Sequence, residues 1–242
     1  MLFARAPRLG HVKTRMLPCL DPGQALALHR ALLEDSLSLL RLAAFQMAAR
    51  PLLALSDPWE PAGDPADAPL MAAVAGVTRF QQRGKDLGER LLHAFRSLFR
   101  RQGRAAVVIF GADSPTLPPA RLASALALLE SEQDLVLGPA EDGGFYLIGA
   151  RRIVPGLFAG IPWGTSQVFE ATLRAGRRSG LRVALLPPWY DVDRPEDLGR
   201  LRDDVKSSSP FRPERTASFL EELARSRRPD ARGRPSERRP GS

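Results

Sequence analysis

Cations, a hydroxyl and a glycine crowd into the opening stretch Ala4-Arg5-Ala6-Pro7-Arg8-Leu9-Gly10-His11-Val12-Lys13-Thr14-Arg15. Gly10 lets a backbone approach an anion closely. Lys13 as a point charge and Arg15 as a planar fork suit a diphosphate. The stretch is not a P-loop, because Val12 precedes Lys13-Thr14 where that motif carries Gly, and no G-x-G-x-x-G follows. A solvated basic loop would look the same. In Gly111-Ala112-Asp113-Ser114-Pro115, a lone carboxylate stands just past a β-branched run. It can hold a hard divalent cation or simply open a turn.

Two further loops are acidic. Gly138-Pro139-Ala140-Glu141-Asp142-Gly143-Gly144-Phe145-Tyr146 sets adjacent acids before paired glycines. Glu141 and Asp142 can hold sugar hydroxyls or take a proton, and Asp142-Gly143 can equally be a plain hairpin turn. In Trp189-Tyr190-Asp191-Val192-Asp193-Arg194-Pro195-Glu196-Asp197, period-two geometry points Asp191 and Asp193 the same way, and Asp193 also suits a helix cap. Gly84-Lys85-Asp86-Leu87-Gly88-Glu89-Arg90 opens a helix whose free N–H groups face an anion or only solvent. Trp163, within Ile161-Pro162-Trp163-Gly164-Thr165-Ser166, offers a platform for a sugar ring or a buried core side chain. His11, His29 and His93 have no triad-like context and are given no catalytic role.

Such loops need a frame. Apolar runs at Leu2–Arg5, Pro51–Ser56, Ala106–Gly111, Asp134–Gly138, Phe145–Gly149 and Arg182–Leu186 predict strands. Helical patterns at Pro22–Phe45, Leu87–Arg101, Pro118–Ser131, Ser166–Ser179 and Pro195–Val205 lie between them. This alternation predicts an α/β fold, an open, mostly parallel twisted sheet with helices on both faces. Ligands in such sheets bind beyond the carboxyl ends of the strands, where these loops fall.

Of the 242 residues, 44% are hydrophobic, enough for a sizeable core. Cys19 is the only cysteine, which excludes an internal disulfide and argues against a zinc cluster. No apolar run spans a membrane and no signal peptide is evident, so the expected compartment is cytoplasmic. Of the formal charge of +8, residues 206–242 supply +5, with 10 basic and 5 acidic groups. The chain has 7% aromatics and no basic, aromatic-interleaved stripe in its body, which argues against nucleic acid as a partner. The expected organisation is one domain over 1–206 and a basic, largely disordered tail over 207–242, in which only Glu214–Arg228 approaches a helix. Deleting that tail is expected to leave turnover intact.

Taken together and in order, these motifs resemble the bacterial arsenosugar-biosynthesis-type glycosyltransferase family, over residues 2 to about 202. The resemblance implies the nucleotide-diphospho-sugar transferase superfamily and its Rossmann-like GT-A fold. It implies phosphate and nucleotide contacts from Ala4, Arg5, Pro7, Gly10, Lys13, Thr14 and Arg15, with Asp86, Gly88 and Arg90 near base and ribose. Asp113 and Asp193 would ligate Mg²⁺ or Mn²⁺. Asp113, Lys13, Asp142 and Glu141 would carry the chemistry, and Gly143, Gly144, Trp163 and Thr165 would meet the substrate. Arg5, Phe145 and Arg194 stand where members usually carry Lys, Tyr and Thr. The implied reaction is glycosyl transfer from a nucleotide sugar to a small-molecule acceptor. The alternatives are guanylyltransferase-like nucleotidyl transfer from a nucleoside triphosphate to a phosphorylated acceptor, and a non-catalytic nucleotide-binding module.

Overall fold

The computed structural model describes residues 1–59, 65–102, 106–207 and 211–227. Seven strands form one sheet: β1 (Leu2–Ala4), β2 (Leu52–Leu55), β3 (Thr78–Gln81), β4 (Val107–Gly111), β5 (Leu135–Pro139), β6 (Phe145–Ala150) and β7 (Val183–Leu185). Their order is β3-β2-β1-β4-β6-β5-β7. All pairings are parallel except those of β6, which runs antiparallel between β4 and β5. From β1 the chain builds outward through β2 and β3, then returns to add β4 on the other side. The order therefore reverses between β1 and β4, and a crevice opens at their carboxyl ends.

Strand residues alternate between two cores, as a sheet covered on both faces requires. Leu2, Leu53, Leu55 and Phe110 pack with α1 (Pro22–Gln46), α2 (Ala68–Val74) and α4 (Pro119–Ser131). Phe3, Ala54, Ile109 and Ile148 pack with α3 (Leu87–Gln102) and α5 (Val168–Arg178). Helix α1 starts at a capping box, in which Asp21 accepts from Gln24 N at 2.8 Å and the Gln24 side chain accepts from Asp21 N at 3.1 Å.

Helix α1 is apolar on more than one side. Leu33, Leu37 and Leu40 face the sheet, while Leu28 and Leu32 belong to a third core with α6 (Asp197–Asp204) and α7 (Glu214–Ser226). Helix α7 falls within Glu214–Arg228, the stretch of the tail that the sequence marks as approaching a helix. Phe219, Leu220 and Leu223 of α7 are buried against α1, and Asp35 accepts from the backbone N–H groups of Arg215 (3.1 Å) and Thr216 (2.7 Å), capping α7. Burial raises the Asp35 carboxyl's pKa, an effect those N–H bonds partly offset. Ordered structure thus continues past Lys206 because α7 supplies the apolar face that the outer side of α1 lacks. The rest of the expected tail, 208–210 and 228–242, and the loop residues 60–64 lie outside the described residues. No helix among the described residues is long and apolar enough to cross a membrane.

Two elements have no counterpart in the sequence reading. Helix α2 has only seven residues, and β3 is an edge strand with three of its four residues exposed. Helix α2 buries Leu70 and Val74 at i,i+4 but is too short for a periodic pattern to stand out, and β3 carries no apolar alternation.

Candidate active site

The loops after β1 and β4 meet at the crevice. After β1 the chain reaches Lys13 in the left-handed region, at φ 49°, then turns through a single 3₁₀ turn, Thr14–Met16. Met16 is fully buried in the third core and pins the loop. The buried Lys13 ammonium donates to the carboxylate of Asp113, to Val192 O at 2.7 Å and to Asp193 Oδ1 at 3.0 Å. Val192 N in turn donates to Asp113 O at 2.8 Å, which locks the β4 loop to the segment before α6.

Burial works against both charges, yet the partners win. Desolvation would lower the Lys13 pKa, but Asp113 and Asp193 raise it above the usual lysine value. Desolvation would raise the Asp113 carboxyl, but the charge and hydrogen bond of Lys13 hold it below the carboxylate range. An ammonium has three N–H donors, and all three are used here. The sequence reading placed Lys13 on phosphate. In this geometry it assembles two acids, because no donor remains. Arg5 and Arg15 keep most of theirs: Arg5 makes one long bond to His11 O (3.4 Å), and Arg15 one to Asp193 Oδ2 (3.5 Å).

Two hollows join at this point. A pocket of about 350 Å³ lies over the β1 loop and includes Ala4, Arg5, Lys13, Thr14, Arg15 and Asp113. A cleft of about 580 Å³ continues from it, and Arg15 and Asp193 line both. Glu141, Asp142, Gly144, Trp163 and Thr165 line the cleft. Gly143 shapes it from behind: its φ is +89°, and a Cβ there would lie 2.1 Å from Ser166 O. The β5–β6 connection is thus a tight turn and also a wall of the cleft. Asp142 Oδ1 accepts from Gly144 N at 2.8 Å, leaving the second oxygen open, whereas Glu141 is paired with Arg200 at 2.7 Å.

Other expected contacts fall elsewhere. Pro7 is buried and Gly10 is exposed at φ +75°, and neither lines either of these two hollows. Asp86 caps α3 by accepting from Glu89 N at 2.8 Å, and Arg90 Nε donates to Gly84 O at 3.2 Å. Gly88 makes room for Trp163, since a Cβ at Gly88 would lie 2.6 Å from the indole. The Asp86–Arg90 motif therefore builds the cleft's apolar wall, to which Leu87 contributes directly. Phe145 meets Trp163 edge to face at 6.4 Å.

Three residues gain roles the sequence reading did not give them. Asp191 lines the cleft and accepts from Ser114 Oγ at 2.5 Å. Burial, together with the charges of Asp113, Asp142 and Asp193, pushes its pKa up to about 7 despite that bond. The alternation with Asp193 was visible in sequence, and only the second acid was taken up. His29 donates Nε2–H to Arg5 O at 3.1 Å, and burial lowers its pKa, so it holds the β1 loop as a neutral ring. Arg200 lies 3.9 Å over the Tyr190 ring while pairing with Glu141, and Tyr190 Oη donates to Asp204 at 2.6 Å. Nothing in the spacing of Arg200 marks it.

Among the described residues, no three His, Cys, Asp or Glu side chains form a metal-binding group. Asp113 and Asp193 are the pair available, 44% and 40% exposed and joined through Lys13. Such a donor set fits Mg²⁺ or Mn²⁺, which take oxygen ligands and fill the remaining positions with water and phosphate. It does not fit zinc.

Residues 40–165 match the family model described as "Uncharacterized protein conserved in bacteria (DUF2064)". The chain belongs to that family. A crystal structure of a candidate nucleotide-diphospho-sugar transferase from Desulfovibrio desulfuricans G20 is 34% identical, over 93% of this DUF2064 chain and 96% of that one, with a TM-score of 0.77. The structure of 4-diphosphocytidyl-2C-methyl-D-erythritol synthase is 14% identical over 85% of this chain and 96% of its own, with a TM-score of 0.52, and shares the fold. No curated protein matches in sequence. The α/β architecture expected from the sequence is thus the nucleotide-diphospho-sugar transferase fold.

Proposed function

We propose that this DUF2064 protein is a metal-dependent glycosyltransferase using a nucleotide-diphosphate sugar. The observation that carries the reading is the Lys13 ammonium clamped between Asp113 and Asp193 at the junction of a cationic pocket and a sugar-sized cleft. The arsenosugar-type motif pattern and the description of the 34%-identical relative support it. In the reaction an acceptor hydroxyl attacks C1 of the sugar. The bond from C1 to the diphosphate oxygen breaks, the nucleoside diphosphate leaves with the electron pair, and the hydroxyl proton passes to a carboxylate. Asp142 suits that last role, because one of its oxygens is open to the cleft while Glu141 is tied to Arg200.

Arg5 and Arg15 hold the diphosphate, and Lys13 keeps Asp113 and Asp193 together. Those two acids would hold Mg²⁺ or Mn²⁺, which supplies positive charge to the departing diphosphate. Trp163 gives the sugar an apolar platform.

A second reading is nucleotidyl transfer, favoured by Asp113 and Asp193 converging on one point, where their remaining oxygens would share a metal. A thermal-shift panel separates the two, because a specific ligand stabilises by mass action. Stabilisation by UDP- or GDP-linked sugars with Mg²⁺ or Mn²⁺, lost in Asp113→Ala, is the expected result. A preference for a nucleoside triphosphate over every nucleotide sugar would establish the second reading, and no response to any nucleotide would refute both.

A further inference from the structure

We infer that the cleft accepts a hydroxyl-rich acceptor without phosphate groups, and that its charge excludes the phosphorylated form of the same molecule. This rests on the glycosyl-transfer reading and names the acceptor class for it. The two joined hollows differ in sign. Around the β1 loop, Arg5, Lys13 and Arg15 outnumber Asp113 and Asp193. Among the described residues the cleft presents four carboxylates, from Glu141, Asp142, Asp193 and Asp197, and the acid Asp191, whose raised pKa leaves it only partly ionised at neutral pH. Against these the lining offers Arg15 and Arg194, of which Arg15 already faces Asp193, while Lys13 and Arg200 are spent on Asp193 and Glu141.

The carboxylates are also unevenly committed. Asp197 is used by the backbone of Asp193 and Arg194, and Glu141 by Arg200. Asp142 has one oxygen open, and Asp191 is held on one oxygen by Ser114. Open carboxylate oxygens accept hydrogen bonds and offer none, so they match O–H or N–H groups and repel phosphate oxygens. In the same cleft, Trp163 and Phe145 give an aromatic wall, with Trp163 seated by the close approach at Gly88. At about 580 Å³ the hollow falls in the size range of small-molecule sites. A phosphorylated acceptor would bring two more negative charges beside a diphosphate already bound next door, and the cleft offers no uncommitted cation beyond Arg194.

The test uses the full-length protein and saturation-transfer NMR with three probes: methyl glucoside, glucosamine and glucose 6-phosphate. Inorganic diphosphate with Mg²⁺ is added in excess, so that a phosphate group reports on the cleft and not on the cationic pocket. Methyl glucoside and glucosamine are expected to bind at least about tenfold more tightly than glucose 6-phosphate. Trp163→Leu should abolish their signal, and Asp142→Asn should narrow the gap between neutral and phosphorylated probes. Equal or tighter binding of glucose 6-phosphate overturns the inference, and so does the absence of binding by all three. Failure of diphosphate to bind would count against the glycosyl-transfer reading instead. The sugar probes then need no blocker and still report on the cleft.

Discussion

Replacing Lys13 by Met keeps the buried aliphatic stem and removes one charge with its three hydrogen bonds. A hydrogen bond to a charged group contributes about 1.5–3 kcal/mol, and breaking a fully buried ion pair costs about 3–5 kcal/mol. Here the two carboxylates remain 44% and 40% exposed, so water re-solvates part of what is lost. That discount places the expected destabilisation at about 2–3 kcal/mol, a fall in Tm of roughly 5–10 °C for a chain of this size. Urea denaturation at pH 7 measures it, with Asp113→Asn and the double variant completing a cycle whose coupling should exceed about 1 kcal/mol. The sign with pH is also fixed. Asp113 has its pKa lowered by Lys13, so its contribution is present above the ordinary carboxylate range and disappears as pH falls through the folded-state value. The deficit of Lys13→Met should therefore shrink below about pH 4. The variant should also gain stability from millimolar Mg²⁺ without nucleotide, because two adjacent carboxylates have lost their resident cation. A stability within about 0.5 kcal/mol of the parent, or additive single effects, would refute the ion cluster as described.

Ending the chain at Lys206 removes α7 and exposes the outer side of α1. Burial of Phe219, Leu220 and Leu223 is worth about 1.5–3 kcal/mol each, so this truncation should unfold far earlier than a chain ending at Arg227, and a matched pair of melting curves decides it. That reverses the expectation that turnover survives the deletion, since Met16, Tyr190 and Val192 of the site segments share the core with α7. Asp134 accepts from Arg152 at 2.8 and 3.1 Å and from Arg182 N at 3.0 Å, and its pKa is lowered to about 2 chiefly by the Arg152 hydrogen bond. Asp134→Asn should lose roughly 2 kcal/mol at pH 7, and the difference should fade as pH drops from about 4 to 2, which acid titration of both proteins will show. Gly143→Ala combines positive φ with a collision against Ser166 O. It should cost about 2–4 kcal/mol and distort the acidic turn, so normal melting together with unchanged turnover would contradict the geometry.

The buried strands were legible because a sheet covered on both faces makes near-continuous apolar runs. Val107–Gly111 and Leu135–Pro139 fall within one or two residues of the runs that predicted them. Thr78–Gln81 was not legible, because an exposed edge strand need not be apolar. Helix α7 was readable only in part. Its own composition is marginal, and what decides its position is the outer face of α1, a long-range match that local periodicity does not register. The clue lay in Glu34-Asp35-Ser36, three polar residues inside an apolar helix. Asp35 caps α7, Glu34 pairs with Arg215 at 3.0 Å, and Ser36 donates to Ala112 O at 3.2 Å, just before Asp113.

At the site, the loops were legible while the division of labour within them was not. Residue types and position after strands located Lys13, Asp113, Asp142 and Asp193, and the structure brings the first two and the last into one ion cluster. Type alone could not say that Lys13 faces inward. That depends on Lys13 adopting φ 49° and on Met16 anchoring the following turn, and neither is encoded in the charge pattern. The same limit applies to Asp86 and Arg90, for which the resemblance implies contacts near base and ribose while their hydrogen bonds close the start of α3. A charged residue near a helix start has two competing uses, capping and binding, and the nearest backbone donor usually wins because it costs no ordering of a second molecule. Arg5 and Arg15 escape that competition. Among the described residues each makes only one long hydrogen bond, so under the proposed function these two guanidinium groups, and not the buried lysine, would meet the diphosphate.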